Sequence, residues 1–221
     1  MKKLVKIVTK VHLSTKRNYK ERMFNNKILS MQKARKFEYD YWDGDRNHGY
    51  GGYKYIPGKW TEVAKKLIKL YKLNEKSKVL DVGCGKGFLL YEIKKLIPKI
   101  EVSGFDISKY GIKNSKKEIK KYLYHHDARK KFPIKDKKFD LVFSINTLHN
   151  FRLPSLIFSL KEIERVSKKS FLLVEGYRNE KELFNLQCWA LTAESFFTDK
   201  EWRYIFKQAN YKGDYEFIYF Q

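Results

Sequence analysis

The ten residues KVLDVGCGKG, positions 78–87, decide how this chain folds. KVLDV sets three apolar residues around one acid, the pattern of a short buried strand. GCGKG cannot continue it, since closely spaced glycines end regular structure and turn the chain. From Phe88 the sequence FLLYEIKKLI repeats apolar residues at helical spacing until Pro98 stops it. Strand, glycine turn and helix form the unit of a doubly wound fold, in which glycine lets a ligand approach the backbone. Gly83, Gly85 and Gly87 do not match the triphosphate pattern G-x-x-x-x-G-K-[ST], and Phe88 breaks the dinucleotide spacing G-x-G-x-x-G. Asp106 ends the next predicted strand about twenty residues on, where a carboxylate can accept both hydroxyls of a ribose. The spacing points to a nucleoside ligand without pyrophosphate recognition.

Strands and helices alternate on either side of this unit. A helix over 60–71 precedes it, with Trp60, Val63, Ala64, Leu67, Ile68 and Tyr71 on one face. EVSGFDI, YLYHH, FDLVFSI, SFLLVEGY and YEFIYF read as the later strands, and helices are predicted over 108–121, 154–167, 180–191 and 198–210. This order implies a Rossmann-like α/β fold, a doubly wound, mostly parallel sheet with helices on both faces. Ligands then bind beyond the carboxyl ends of the strands. Upstream, residues 14–36 read as one basic amphipathic helix through Tyr19, Met23 and Ile28. Residues 39–60, YDYWDGDRNHGYGGYKYIPGKW, are too glycine-rich for a helix interior and too polar for a buried strand. The expected organisation is an N-terminal helical and aromatic lid over 1–56 and the main domain over 57–221.

The 221 residues are 43% hydrophobic and 16% aromatic, enough for a sizeable core and too apolar for disorder. No apolar run approaches the ~18 residues of a membrane span, and the basic start lacks the apolar core of a secretion signal. Only Glu21 is acidic in the first 37 residues, as in a mitochondrial presequence, but lysine outnumbers arginine there. With two cysteines, Cys84 and Cys188, neither a disulfide framework nor a four-thiolate zinc site can form, so a soluble cytoplasmic protein is expected. The formal charge of +23 is carried mostly by lysines spread over predicted outer helices, which is read as solvation before nucleic-acid binding.

KVLDVGCGKG, GFDIS, HDARKKFPIKDKKFDLVFS and LHN together resemble the class I S-adenosylmethionine-dependent methyltransferases, from about position 59 onward. The aromatic run resembles bacterial members associated with surface-sugar biosynthesis. The resemblance implies S-adenosyl-L-methionine as cofactor and S-adenosyl-L-homocysteine as product. It implies that Asp81 and the backbone of Gly83, Cys84 and Gly85 hold the methionine end. Asp106 would take the ribose, Ile107 would pack on the adenine, and Asp127 and Ala128 would recognise its edge. Ser144 and Ile145 would lie beside the sulfonium. The family usually closes its sheet with an antiparallel hairpin, whereas here one strand follows the last helix.

Aligning nucleophile, methyl and sulfur is most of what methyl transfer requires, with a base needed only where the acceptor must lose a proton. His149, after the fourth strand, is the first candidate base or acceptor clamp, and Glu175 ends the fifth strand at the same rim. His125 and His126 alternate to opposite faces, so no metal pair is expected, and Cys188 reads as a buried structural thiol. In the aromatic run, Trp42, Tyr50, Tyr53 and Tyr55 offer faces to a sulfonium cation. Gly49, Gly51 and Gly52 allow close backbone approach, and Asp43, Asp45 and His48 could meet polar groups of an acceptor. Tyr50 and Gly52 are assigned to the cofactor, and Tyr53 joins His149 and Glu175 around the reaction. The [DN]-P-P-[FYW] signature of nucleic-acid amine methyltransferases is absent. A small polar metabolite, such as a sugar or sugar-linked intermediate, is the expected acceptor, with RNA or protein as the alternative. A binding protein of the same fold without transfer activity is the third reading.

Overall fold

Near-continuous apolar runs form strands covered on both faces. In the computed structural model, which describes residues 3–221, these are β1 (Lys78–Val82), β2 (Glu101–Asp106), β3 (Leu123–His125), β4 (Phe139–Ile145), β5 (Ser167–Glu175) and β6 (Asp214–Ile218). They make one sheet in the order β3-β2-β1-β4-β5-β6, and every neighbouring pair is parallel. The order reverses between β1 and β4, so a crevice opens at their carboxyl ends. Among the described residues no helix is long and apolar enough to cross a membrane.

Eleven helices accompany the described strands: α1 (Thr9–Leu13), α2 (Tyr19–Phe24), α3 (Lys27–Ala34), α4 (Tyr39–Trp42), α5 (Thr61–Tyr71), α6 (Phe88–Leu96), α7 (Lys109–Lys113), α8 (Lys117–Lys120), α9 (Leu153–Val166), α10 (Glu180–Trp189) and α11 (Asp199–Gln208). Strand alternation sends Leu80, Val142 and Leu172 into a core shared with Leu160 of α9 and Phe206 of α11. Val79, Leu141 and Phe171 face the other way, onto Leu67 of α5 and Leu90 of α6.

Three expectations are corrected. The single helix over 14–36 is α2 and α3, broken at Asn25 and Asn26, because Asn26 takes the left-handed conformation at φ 46° and caps α3 through its side chain. The expected apolar stripe is outside: Met23 and Ile28 are exposed, while Arg22, Ser30 and Ala34 are buried. The helix over 108–121 is likewise split into α7 and α8. At the sheet's far edge, β6 runs parallel to β5 with no antiparallel hairpin. The chain's own beginning covers that edge: Leu4 bridges Tyr215, and Val5 N donates to Tyr215 O at 3.0 Å. Glu216, buried within β6, accepts from the backbone N–H groups of Ile7, Val8 and Thr9 at 2.7–3.0 Å, satisfying donors at the start of α1.

Candidate functional site

The glycine turn is the floor of a cavity of about 520 Å³. Gly83 sits at φ 81° and Gly85 at φ 55°, a region that disfavours side chains. A Cβ at Gly83 would stand 2.1 Å from Thr147 Oγ1, and one at Gly85 would stand 2.7 Å from Trp42 Cη2. The Asp106 carboxylate accepts from Gly85 N and Ser108 N, both at 2.8 Å, which fixes the end of β2 to the turn. Burial pushes Asp106 up from the ordinary carboxylate range, only partly offset by those two N–H groups. Asp81 is pushed well up, first by burial and then by the charge of Asp106 beside it. Two buried acids sharing one cavity wall favour a cationic or hydroxyl-rich ligand.

Tyr41, Trp42, Tyr50 and Tyr53 line the same cavity as an aromatic wall, its roof. Trp42 is held from two sides, donating Nε1–H to Phe37 O at 3.0 Å and to Ser108 Oγ at 2.8 Å. Tyr50 stacks on Trp42 with centroids 5.4 Å apart, Tyr53 lies 4.5 Å from Tyr50, and Tyr53 stacks on Phe88 at 5.2 Å. Asp43 ties this aromatic stack to the floor: its carboxylate accepts from Lys86 Nζ at 2.7 and 2.8 Å, Tyr110 Oη at 2.9 Å and Tyr53 N at 3.0 Å. Lys86, the lysine of GCGKG, is 4% exposed, so the pair is a buried tether.

Of the residues nominated from sequence, Tyr50, Gly52, Tyr53, Asp81, Gly83, Cys84, Gly85, Asp106, Ile107, Asp127, Ala128, Ile145, His149 and Glu175 all line this cavity. Ser144 does not. Alternation along β4 turns it into the sheet, where its hydroxyl donates to Val82 O at 2.8 Å. Tyr55 also leaves the site, binding Glu92 through its hydroxyl and packing on Tyr91. Asp43 serves the tether rather than an open pocket, and Asp45 accepts from Asn47 N at 2.7 Å in its own turn. His48 is not among the cavity-lining residues. Cys188 is buried, as expected. Asp127 reaches the cavity with its carboxylate held by the Arg129 fork at 2.9 Å.

At the rim beyond β4, His149 Nε2 stands 3.6 Å from Glu175 Oε2, beyond hydrogen-bond distance. His149 is 5% exposed, and its Nδ1 is buried without a partner, as are Asn146 Oδ1 and Asn150 Oδ1 nearby. Burial raises the Tyr53 hydroxyl far above the ordinary tyrosine range, so it is a neutral hydrogen-bonding group and not a base.

Motif and periodicity gave no sign of Tyr41, Asn146, Thr147 or Trp189, nor of Arg17, Arg22 and Arg46, all of which line the cavity. One signal was available: arginines 17, 22, 35 and 46 cluster early in a chain whose basic residues are mostly lysine.

A protein-family profile described as "Methyltransferase domain" matches residues 73–210, well over half of the chain. The demethylmenaquinone methyltransferase of Chlorobaculum parvum is 32% identical over 114 residues, 51% of this chain and 46% of that protein. The tRNA U34 carboxymethyltransferase of Nautilia profundicola is 31% identical over 117 residues, 50% of this chain and 37% of that protein. The chain thus spans less than half the length of these two relatives. Among solved structures, the YcgJ protein of Bacillus subtilis matches 66% of each chain at a TM-score of 0.53 and 18% identity, a likeness of fold.

Proposed function

The chain belongs to the methyltransferase domain family, and we propose that it transfers a methyl group from S-adenosyl-L-methionine to a small polar metabolite enclosed beneath the aromatic roof. One observation carries this reading: the glycine turn, the two buried acids and the roof close on a single cavity that also contains His149 and Glu175. A volume of about 520 Å³ falls within the ~300–1,000 Å³ of small-molecule sites.

The residues fit the cofactor. Asp81 and Asp106 are buried acids that a cationic amine and a ribose would relieve. Gly83 and Gly85 leave room that a side chain would take. Asn146 lines the cavity, and its buried Oδ1 has no hydrogen-bond partner. Ile107 and Ala128 offer apolar surface for the adenine, and Trp42, Tyr50 and Tyr53 give the roof the aromatic faces that attract a sulfonium. When bound, S-adenosylmethionine supplies an electrophilic methyl on a positively charged sulfur. The chain's own residues then align the acceptor, exclude water and take up its proton. His149 is the group for that proton: it lines the cavity, and its Nε2 faces Glu175 Oε2 at 3.6 Å. In this reading residues 1–56 act as the lid and residues 57–221 as the catalytic unit. A sugar or sugar-linked intermediate suits a rim of Asn, His and Glu side chains.

Calorimetry on the full chain tests the cofactor. S-adenosylhomocysteine should bind saturably, and Asp106→Ala should weaken it at least about tenfold, ~1.4 kcal/mol. An unaltered chain that does not bind it sinks the proposal. Labelled cofactor incubated with metabolite extracts should yield a small labelled product, whereas label moving to RNA or protein would change the acceptor class.

A further inference from the structure

The N-terminal wall of the cavity is cationic, and the fold does not neutralise it. Arg17, Arg22 and Arg46 line the cavity and surround one ring, with guanidinium carbons 5.5, 4.1 and 5.2 Å from the centroid of Trp189. Among the described residues none of the three has a carboxylate within ion-pair distance. Other arginines are paired: Arg129 with Asp127, Arg165 with Glu162, Arg178 with Glu182. The cavity arginines bond mainly to carbonyls. Arg22 Nη2 donates to Arg46 O at 2.8 Å, Arg46 Nη1 to Gly49 O at 2.7 Å, and Arg17 Nη1 to Thr15 O at 3.0 Å and His12 O at 3.2 Å. Arg17 Nε is buried with no partner, and Arg22 is 7% exposed.

Like charges gathered in a partly buried wall are unfavourable unless something of opposite sign completes them. The strain is visible in their protonation: burial, and then the charge of Arg46, pulls Arg22 down to about 10. The end of α10 does not supply the missing charge, because Lys27 Nζ already donates to the carbonyls of Gln187, Cys188 and Ala190 at 2.6–3.1 Å. Glu175 reaches Arg17 by its field alone, without an ion pair. The cationic wall is continuous with the reaction site, since Tyr50 lies within electrostatic reach of Arg46, Glu175 and Asp106 alike. The cavity thus holds buried acids at the glycine turn and, on its N-terminal wall, guanidinium groups without a carboxylate partner among the described residues.

We propose that Arg17, Arg22 and Arg46 bind an oxyanion of the methyl acceptor, a phosphate or a carboxylate, so that the acceptor is a small anionic metabolite. Arginine forks match such groups by paired N–H donors. The proposal rests on the reading of this cavity as the site of methyl transfer.

Calorimetric titration of the full chain at physiological salt, with and without saturating S-adenosylhomocysteine, tests it with two probes, inorganic phosphate and malonate. At least one should bind at a single saturable site, and which one binds assigns the oxyanion. Arg22→Gln and Arg17→Gln should each weaken that binding about tenfold or more while S-adenosylhomocysteine affinity stays within about twofold, which also shows the variants are folded. Neither probe binding, or binding unchanged in both variants, overturns the proposal. A chain that takes RNA but neither small anion overturns it as well. Failure of the cofactor reading appears separately, in the S-adenosylhomocysteine titration of the unaltered chain.

Discussion

His149, four residues past the end of β4, and Glu175, the last residue of β5, were both nominated for their place at one rim, and their side chains stand 3.6 Å apart. That juxtaposition makes a specific expectation. His149→Gln keeps a polar group of similar reach but cannot take up a proton, so kcat should fall by about 10²–10⁴-fold, the usual range for a general base. Glu175→Gln should lower kcat less, because the imidazole stays in place and loses only its orienting charge. S-adenosylhomocysteine affinity should hardly change in either variant. If it falls in step with kcat, His149 is a cofactor contact instead. Both residues were legible in the sequence because strand ends of a parallel sheet converge on one rim. Ser144 was misread for the same geometric reason: one position earlier on the strand, its side chain points the other way.

At the level of elements, one of the ties that hold the roof is a buried ion pair. Asp43 and Lys86 pair with side chains 22% and 5% exposed, and Tyr53 and Tyr110 add further hydrogen bonds to the same carboxylate. Removing one charge leaves the other buried, which costs roughly 3 kcal/mol at the lower end for such pairs. Asp43→Asn should therefore loosen residues 39–56 while the sheet persists, seen as faster amide exchange in the roof than in β1 or β4. Unchanged exchange there would mean the aromatic stack alone holds the roof. The alternating strands and helices from position 60 onward were legible because buried strands are short apolar runs bounded by turn residues, whereas helices repeat their apolar residues every 3.6. The break between α2 and α3 was not, since Asn25 and Asn26 end a helix locally without disturbing its average composition. The direction of β6 was not either, because an isolated strand carries no mark of its partner's orientation. No motif marked the arginine wall; the docking of α2 and Lys27 against α10 sets it beside Trp189.

For the molecule as a whole, the hold on the N-terminal segment should weaken as pH falls. His12 is buried, donates from Nε2 to Tyr219 O at 2.9 Å and accepts at Nδ1 from Arg17 Nη2 at 3.1 Å. Burial, and then the charge of Arg17, lowers its pKa from 6.5 to about 4. Between those values the unfolded chain binds more protons than the folded one, so stability is fully present above 6.5 and declines as pH falls toward 4. The loss attributable to His12 is about 3 kcal/mol at full extent. Urea unfolding at pH 7 and at pH 4.5 should show a smaller stability difference in His12→Gln than in the unaltered chain, and an equal difference would remove His12 as the cause. The carboxylate that holds the start of α1 has a consequence of another kind. Ile7 and Glu216 are 209 positions apart, so residues 3–12 leave the ribosome long before β6 exists to receive them. Contacts that span nearly the whole chain close slowly. The sheet from β1 to β5 can assemble as it emerges, and α2 can dock on α10, but residues 3–9 lack their Glu216 anchor until β6 is laid. Chains in which β6 has not yet formed would carry a formed glycine turn while the start of α1 still lacks its buried acceptor.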